Sequence, residues 1–201
     1  MGTIIHILSK ILKNKVANMP KPTKNILFLH GWGGKRTHYW MPWFEAELTK
    51  LGFTVYAPQI PNSYNPKKDK WIHHIKEYVE LYKPQAVVAH SIGALAWWHY
   101  LAQHPTVIRA QLFVAPPTHA SFAKIEGFFP LPNGFNQYDA KVVVAKDDTN
   151  VDEKRMQTFC EDEKMQLLCL DRGGHFDPYS KVLELPEALH YLIKRFTVSC
   201  S

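Results

Sequence analysis

Cysteine is scarce in this sequence and is not arranged in pairs. The 201 residues include three cysteines, Cys160, Cys169 and Cys200, with no C-x-x-C spacing among them. An odd number of unpaired cysteines fits a reducing compartment and gives no sign of a metal site. We therefore expect a cytoplasmic protein that needs neither a metal nor another cofactor, with Cys169 as a small apolar residue in the core.

Long apolar runs are also missing. No stretch approaches the roughly 20 apolar residues that cross a bilayer, so no transmembrane anchor is expected. Residues 3–16 place isoleucine and leucine at helical spacing with lysines between them, which predicts a short basic amphipathic helix. His6, Ser9 and Lys10 interrupt the apolar pattern and argue against a secretory signal. This helix could contact an anionic membrane surface, but packing on the domain or disorder is the favoured interpretation.

Acidic residues are absent from the first part of the chain. No aspartate or glutamate precedes Glu45, whereas seven lysines and arginines do. The remaining residues hold 17 basic and 18 acidic side chains, so the formal net charge of +6 comes from this first part. A near-neutral body lacks the basic face that binds nucleic acid, and no such partner is expected. The length suits a basic extension, residues 1–23, and one domain, residues 24–201, that is a monomer or small homo-oligomer.

Short apolar runs alternate with amphipathic stretches over the rest of the sequence. Predicted strands cover residues 25–29, 53–56, 86–89, 110–114, 141–145 and 165–170, and predicted helices cover 40–51, 70–82, 94–103, 151–160 and 183–196. This alternation predicts an α/β fold, a doubly wound and mostly parallel sheet with helices on both faces. Because ligands bind at the carboxyl ends of the strands in such sheets, chemistry is expected on the loops that follow the strands.

One predicted strand leads straight into a helix through Ser91. The segment Ala89-His90-Ser91-Ile92-Gly93 has small residues two positions before and after the serine, as the tight turn of a nucleophile elbow requires. Alanine replaces the usual first glycine of G-x-S-x-G. Because such a serine is often only a helix N-cap, the segment alone leaves both interpretations open.

The loop after the first strand is rich in glycine. It reads His30-Gly31-Trp32-Gly33-Gly34, and glycines let a backbone approach a substrate closely. The backbone N–H groups of Trp32 and Ile92 would then form an oxyanion hole. The alternatives are a turn without a ligand and a phosphate loop, but the sequence fits neither the Walker motif nor G-x-G-x-x-G.

An acid and a base follow on two later loops. Asp147 and Asp148 come after the strand 141–145, and His175 follows two glycines after the strand 165–170. A carboxylate at a strand end can orient a histidine, and the histidine can take the proton of a serine. The two aspartates are equivalent on these grounds, and either could instead form a turn or a helix cap. The order Ser, Asp, His along the chain distinguishes this arrangement from the two other known chain orders of a serine triad.

Together these motifs resemble the α/β-hydrolase superfamily, and within it the compact serine hydrolases that include retinoblastoma-binding protein 9. The similarity covers about residues 24–195 and rests on HGWGG, HSIGA, the aspartate pair and GGHF. The resemblance implies a triad of Ser91, Asp148 and His175, since the family's acid is the second aspartate and stands three residues before Val151. Ala89 and the N-terminal extension depart from the family pattern.

The resemblance also implies a small fold without a large cap domain. The lid-sized insertion, residues 116–138, is rich in phenylalanine and proline. We expect it to flank a shallow apolar pocket for the acyl or leaving group, the alternative being that its aromatic side chains pack beneath the loop. The residues predicted for this pocket are Trp32, Gly33, His38, Tyr39, Trp40, Phe122 and Phe128.

The function expected from these features is that of a serine hydrolase, which cleaves a small ester, thioester or amide through an acyl-enzyme. One alternative is a binding or scaffold protein on the same fold, since a fold does not determine a function. An intact serine, aspartate and histidine argue against that alternative. Lyase or peroxidase chemistry with the same triad is the other.

Overall fold

Six strands form one parallel sheet with a change of winding direction near its middle. The computed structural model describes residues 24–35, 40–120, 123–133 and 139–197, so the predicted extension over residues 1–23 lies outside the described residues. The strands are β1 (Asn25–Leu29), β2 (Thr54–Tyr56), β3 (Ala86–His90), β4 (Ala110–Val114), β5 (Ala140–Ala145) and β6 (Gln166–Leu170). The neighbouring strands are parallel and lie in the order β2-β1-β3-β4-β5-β6. The chain winds from β1 to β2 and then from β3 to β6 on the other side, so the loops after β1 and β3 border a crevice.

The described part of the chain also contains five α-helices and a short 3-10 helix. They are α1 (Trp40–Lys50), α2 (Lys68–Tyr82), α3 (Ile92–Gln103), the 3-10 helix (Ala123–Phe128), α4 (Glu153–Asp162) and α5 (Pro186–Thr197). Strands β1, β3 and β4 are buried along their whole length, as in a parallel sheet covered on both faces. The predicted α/β class is confirmed. Among the described residues, no helix combines the length and apolarity that a membrane span requires.

Two helices begin later than the sequence pattern predicts. Helix α4 starts at Glu153 rather than at residue 151, because the Asp152 carboxylate caps it by accepting the N–H of Arg155 at 2.8 Å. Helix α5 starts at Pro186 rather than at residue 183, since proline suits the first helical position. The predicted lid, residues 116–138, contains the 3-10 helix, which the sequence pattern does not predict.

Helix α3 is buried from Ile92 to Leu101, and its apolar side chains belong to the hydrophobic core. The side chains of Trp97 and Trp98 are fully buried. The indole N–H of Trp97 donates to the side-chain oxygen of Gln111 at 2.6 Å. Gln111 lies in β4 and is only 1% exposed, so its amide satisfies a polar group inside the core.

Replacing Gln111 with leucine should destabilise the protein by about 1–3 kcal/mol, because the buried Trp97 N–H would lose its acceptor. The free energy of unfolding in urea, followed by circular dichroism, measures this effect. Gln103→Leu, at the exposed end of α3, is the matched control and should change the free energy by less than about 0.5 kcal/mol. Equal unfolding curves for Gln111→Leu and the wild type would contradict a stabilising role for this pair.

Candidate active site

The turn between β3 and α3 holds Ser91 in a strained backbone conformation. Its φ of 51° and ψ of −127° lie in a region that residues with a side chain rarely adopt. The N–H of Ser91 donates to the carbonyl of Val114 at 2.9 Å, which fixes the turn against β4. A Cβ added at Gly93 would lie 2.6 Å from the carbonyl oxygen of His30, so only glycine fits there. This tight strand-to-helix turn has the backbone geometry that a nucleophile elbow requires.

Three side chains from three loops meet at this turn. The ring of His175 lies between Ser91 and Asp148: its Nε2 is 2.9 Å from Ser91 Oγ, and its Nδ1 is 2.9 Å from Asp148 Oδ2. The Asp148 side chain is fully buried, and its other oxygen accepts the backbone N–H of Asn150 at 2.7 Å. In the neutral His175 ring, the Asp148 carboxylate accepts a hydrogen bond from the proton-bearing Nδ1, which leaves Nε2 as an acceptor directed at the Ser91 hydroxyl. That hydroxyl can then transfer its proton to the ring.

The neighbouring aspartate has a different position. The Asp147 carboxylate accepts the backbone N–H groups of Gly173 at 2.9 Å and Gly174 at 2.8 Å. These bonds, that from Gly174 first, hold the pKa of Asp147 below its usual range. The structure therefore places Asp148 against the His175 ring and Asp147 against the backbone of Gly173 and Gly174, directly before His175. Because both residues are aspartates, the sequence alone does not distinguish them.

The glycine-rich loop after β1 is held close to Ser91. A Cβ added at Gly31 would lie 2.9 Å from the Ser91 Cβ. The N–H of Gly33 donates to the carbonyl of Ser63 at 2.9 Å, and Gly33 has a positive φ of 57° that suits glycine. Trp32 lies in this turn, and Ile92 is the first residue of α3. Of the two residues predicted to supply oxyanion N–H groups, Trp32 thus follows a glycine that lies against Ser91, and Ile92 follows Ser91 itself.

The ring of His30 ties this loop to the segment after β2. Its Nε2 accepts the backbone N–H of Ile60 at 2.8 Å and the side-chain amide of Gln59 at 3.0 Å. Because Nε2 accepts both bonds, the proton lies on Nδ1, which donates to the carbonyl of Gly31 at 2.9 Å. The Gln59 amide also donates to the carbonyl of Gly34 at 3.0 Å. These bonds fix the loop from both ends.

A cavity of about 820 Å³ opens above Ser91. Its walls are mostly apolar, with the lysines Lys35 and Lys124 among them. The side chain of Trp32 lies at the rim, where its ring packs edge-on against Tyr64 with centroids 5.5 Å apart. Lys124 Nζ lies 5.3 Å from the Trp32 ring centroid. The residues that line the cavity together with Ser91 include Trp32, Gly33, Met41, Tyr64, Ile125 and Tyr179.

Only part of the predicted pocket lines this cavity. Trp32 and Gly33 line it, whereas His38, Tyr39 and Phe122 lie outside the described residues. Trp40 and Phe128 are each 1% exposed and belong to the core, which corrects their prediction as pocket residues. The physical reason is that large apolar rings gain most from full burial: Trp40 packs on Phe28 and Phe44, and Phe128 packs on Trp71.

Sequence reasoning missed several residues of the site. Met41, Tyr64 and Tyr179 lie on the cavity wall but belong to segments with no motif. His90 has no predicted role apart from its place before Ser91 in the tight turn, yet its ring Nε2 donates to the carbonyl of His175 at 2.8 Å. In the described part of the chain, no three side chains of His, Cys, Asp or Glu are grouped so as to hold a metal ion.

Comparison with known proteins connects this geometry to an enzyme family. A family model described as serine hydrolase matches residues 26–194. BODYGUARD 4 of Arabidopsis thaliana, a lysophospholipase by name, is 25% identical over 134 residues, which are 61% of this chain and 31% of that protein. YdeN of Bacillus subtilis, a hydrolase by name, is 29% identical over 80 residues, 39% of this chain and 42% of that protein. The sequence alignments thus cover less than half the length of either curated relative.

Solved structures share the fold. The structure of the Bacillus subtilis YdeN product has a TM-score of 0.76 at 21% identity, covering 88% of this chain and 100% of that one. A structure from a study of carboxylesterases of the archaeon Nitrososphaera gargenis has a TM-score of 0.64 at 14% identity, covering 87% of this chain and 90% of that one. At these identities the similarity establishes the α/β-hydrolase fold alone.

His90 should make the stability of the protein depend on pH. Burial, and next the nearby His175, lower the pKa of His90 from 6.5 to about 3. Between these values the unfolded chain binds one more proton, so stability is present above pH 6.5 and falls toward pH 3, by up to about 1.4 kcal/mol per pH unit. Urea unfolding from pH 7 to pH 4 measures this fall. His90→Gln should lose stability less steeply, and parallel pH dependences would contradict this origin.

Proposed function

The chain belongs to the serine hydrolase family, and from this premise we propose that it cleaves a small ester, thioester or amide through an acyl-enzyme on Ser91. The observation that carries the proposal is the continuous pair of hydrogen bonds from Ser91 through the His175 ring to Asp148, each 2.9 Å long. A helix N-cap would need no histidine at the serine hydroxyl, so this geometry favours the catalytic interpretation of Ser91.

Each residue of the proposed triad has one step in the reaction. Ser91 Oγ attacks the carbonyl carbon of the substrate while His175 Nε2 takes its proton, and Asp148 stabilises the imidazolium that forms. The N–H groups of Trp32 and Ile92 hold the oxygen that becomes negative in the tetrahedral intermediate. His175 then gives its proton to the leaving group. Water, activated by the same ring, hydrolyses the acyl-enzyme and restores Ser91.

The cavity lining suits the two parts of such a substrate. The leaving group must lie beside His175, because that ring protonates it, and Pro178 and Tyr179, which follow His175 in the chain, also line the cavity. The rest of the lining includes Trp32, Tyr64 and Ile125, which offer apolar surface to the acyl group. Two of the similar proteins support an ester as the substrate. One is named a lysophospholipase, and the other comes from a study of carboxylesterases.

Ser91→Ala should abolish covalent labelling by a fluorophosphonate probe and lower kcat for p-nitrophenyl butyrate by a factor on the order of 10⁶, because the nucleophile is lost. Labelling is read from fluorescence after gel electrophoresis, and kcat from release of nitrophenolate. Ser180→Ala is the control, since that hydroxyl bonds the Asp177 carboxylate instead. Undiminished labelling of Ser91→Ala would exclude Ser91 as the nucleophile, and an unreactive wild type would favour a binding role.

The two aspartates should respond differently to replacement by asparagine. Asp148→Asn removes the charge that orients the His175 ring and should lower kcat by about 10⁴-fold. Asp147→Asn keeps an oxygen that can accept the N–H groups of Gly173 and Gly174, so its loss should be far smaller. Steady-state kinetics with p-nitrophenyl butyrate compares them, with thermal melting to verify folding. A larger loss at Asp147 would contradict the assignment of Asp148 as the acid.

A further inference from the structure

The segment that carries His175 has to reach across the sheet. His175 follows β6, whereas Ser91 follows β3, and three strand spacings of about 4.8 Å separate those strands by roughly 14 Å. We call residues 173–176 the His175 loop. It belongs to neither a helix nor a strand, and Gly174 and Phe176 have positive φ angles of 50° and 52°. Its position therefore depends on contacts with other parts of the protein.

The first anchor of the His175 loop comes from the turn after β5. The Asp147 carboxylate accepts the N–H groups of Gly173 and Gly174 through one oxygen, at 2.9 and 2.8 Å. Bonds from backbone N–H groups to an ionised carboxylate are stronger than those between neutral groups. The two bonds hold the backbone directly before His175, while the next residue, Asp148, faces the ring.

The second anchor comes from the last residue of β3. The His90 Nε2 donates to the carbonyl oxygen of His175 at 2.8 Å, and the two imidazole rings lie 5.3 Å apart. The buried His90 ring stays neutral in the folded protein, since its pKa lies near 3. A neutral donor suits this place, because a second positive charge would oppose the charge that His175 acquires during the proposed reaction.

A third contact completes the attachment. The indole N–H of Trp40 donates to the carbonyl of Phe176 at 3.2 Å, and the Phe176 side chain is 1% exposed. The same Trp40 ring packs edge-on against His90, with ring centroids 6.3 Å apart. Trp40 thus supports the His175 loop from within the core. It does not line the pocket, contrary to the prediction from its sequence position.

Resting on the proposed function, we propose that His90 and Asp147 are positioning residues for the reaction. Each directly precedes a member of the triad, and each holds the backbone of the His175 loop while its neighbour contacts the His175 ring. The turns that hold Ser91 and Asp148 therefore also hold the backbone of His175. As a result, the distances between the Ser91, Asp148 and His175 side chains stay fixed. A displacement of about 1 Å in such a geometry lowers a rate by roughly 10²-fold.

Variants that remove or retain each anchor test this proposal. His90→Met and Asp147→Ala remove the bonds, whereas His90→Gln retains a donor and Asp147→Asn retains an acceptor. The removing variants should lower kcat for p-nitrophenyl butyrate by about 10²-fold with KM unchanged, and the retaining variants should restore most of it. The double variant should lose less than the product of the single losses, because both changes release one loop. His73→Met, with a side chain 69% exposed, is the matched control.

Hydrogen exchange gives a readout that does not depend on activity. The amides of Gly173 and Gly174 should exchange faster in His90→Met and Asp147→Ala than in the wild type, while those of α3 should not change. Wild-type exchange rates and kcat in both variants would overturn the proposal, as would equal losses in the retaining and removing variants. A wild type that reacts with neither ester nor fluorophosphonate would remove the proposed function. In that case, unchanged exchange of the Gly173 and Gly174 amides in the two variants would also show that His90 and Asp147 do not anchor the His175 loop.

Discussion

The close packing of the Ser91 turn on the end of β1 is the constraint on which the rest of the site depends. Gly93 lies so near the carbonyl oxygens of Leu29 and His30 that a Cβ would clash at 2.7 and 2.6 Å. Two residues before this contact the backbone of Ser91 has its positive φ, and Ser91 lies beside Gly31 of the glycine-rich loop. The strain is stable because α3 and the central strands are buried around it. Without it, the serine hydroxyl and the proposed oxyanion donors would not share one space.

The sheet supplies the other half of the geometry. Because β1 and β3 are neighbours at the point where the winding direction changes, a crevice is expected at their carboxyl ends, and the cavity above Ser91 lies there. The proposed acid and base follow β5 and β6, and the hydrogen bonds from His90 and to Asp147 connect the distant His175 loop to the turns nearer the crevice. The neutral, buried His90 thus holds the His175 loop by donating a hydrogen bond, and the charged, exposed Asp147 holds it by accepting two.

Much of this arrangement could be predicted from the sequence, since it depends on local patterns. Apolar runs and helical periodicity place the strands within a residue or two, and small residues around Ser91 predict its tight turn. The pattern could not distinguish Asp147 from Asp148, because two identical neighbours differ only in the direction that the turn after β5 gives them. Nor could it predict that Trp40 packs in the core, or that Tyr64 and Tyr179 form cavity walls, since these depend on contacts between segments far apart in the chain.

The central claim is that a substrate acylates Ser91. Rapid acid quenching of the protein during turnover of p-nitrophenyl acetate, followed by digestion and tandem mass spectrometry, locates the acyl group directly. Acyl-enzyme chemistry predicts an acetyl group on Ser91 during turnover and its loss once the ester is consumed. Turnover with Ser91 unmodified, or with the acetyl group on another side chain such as Cys169, would contradict the claim.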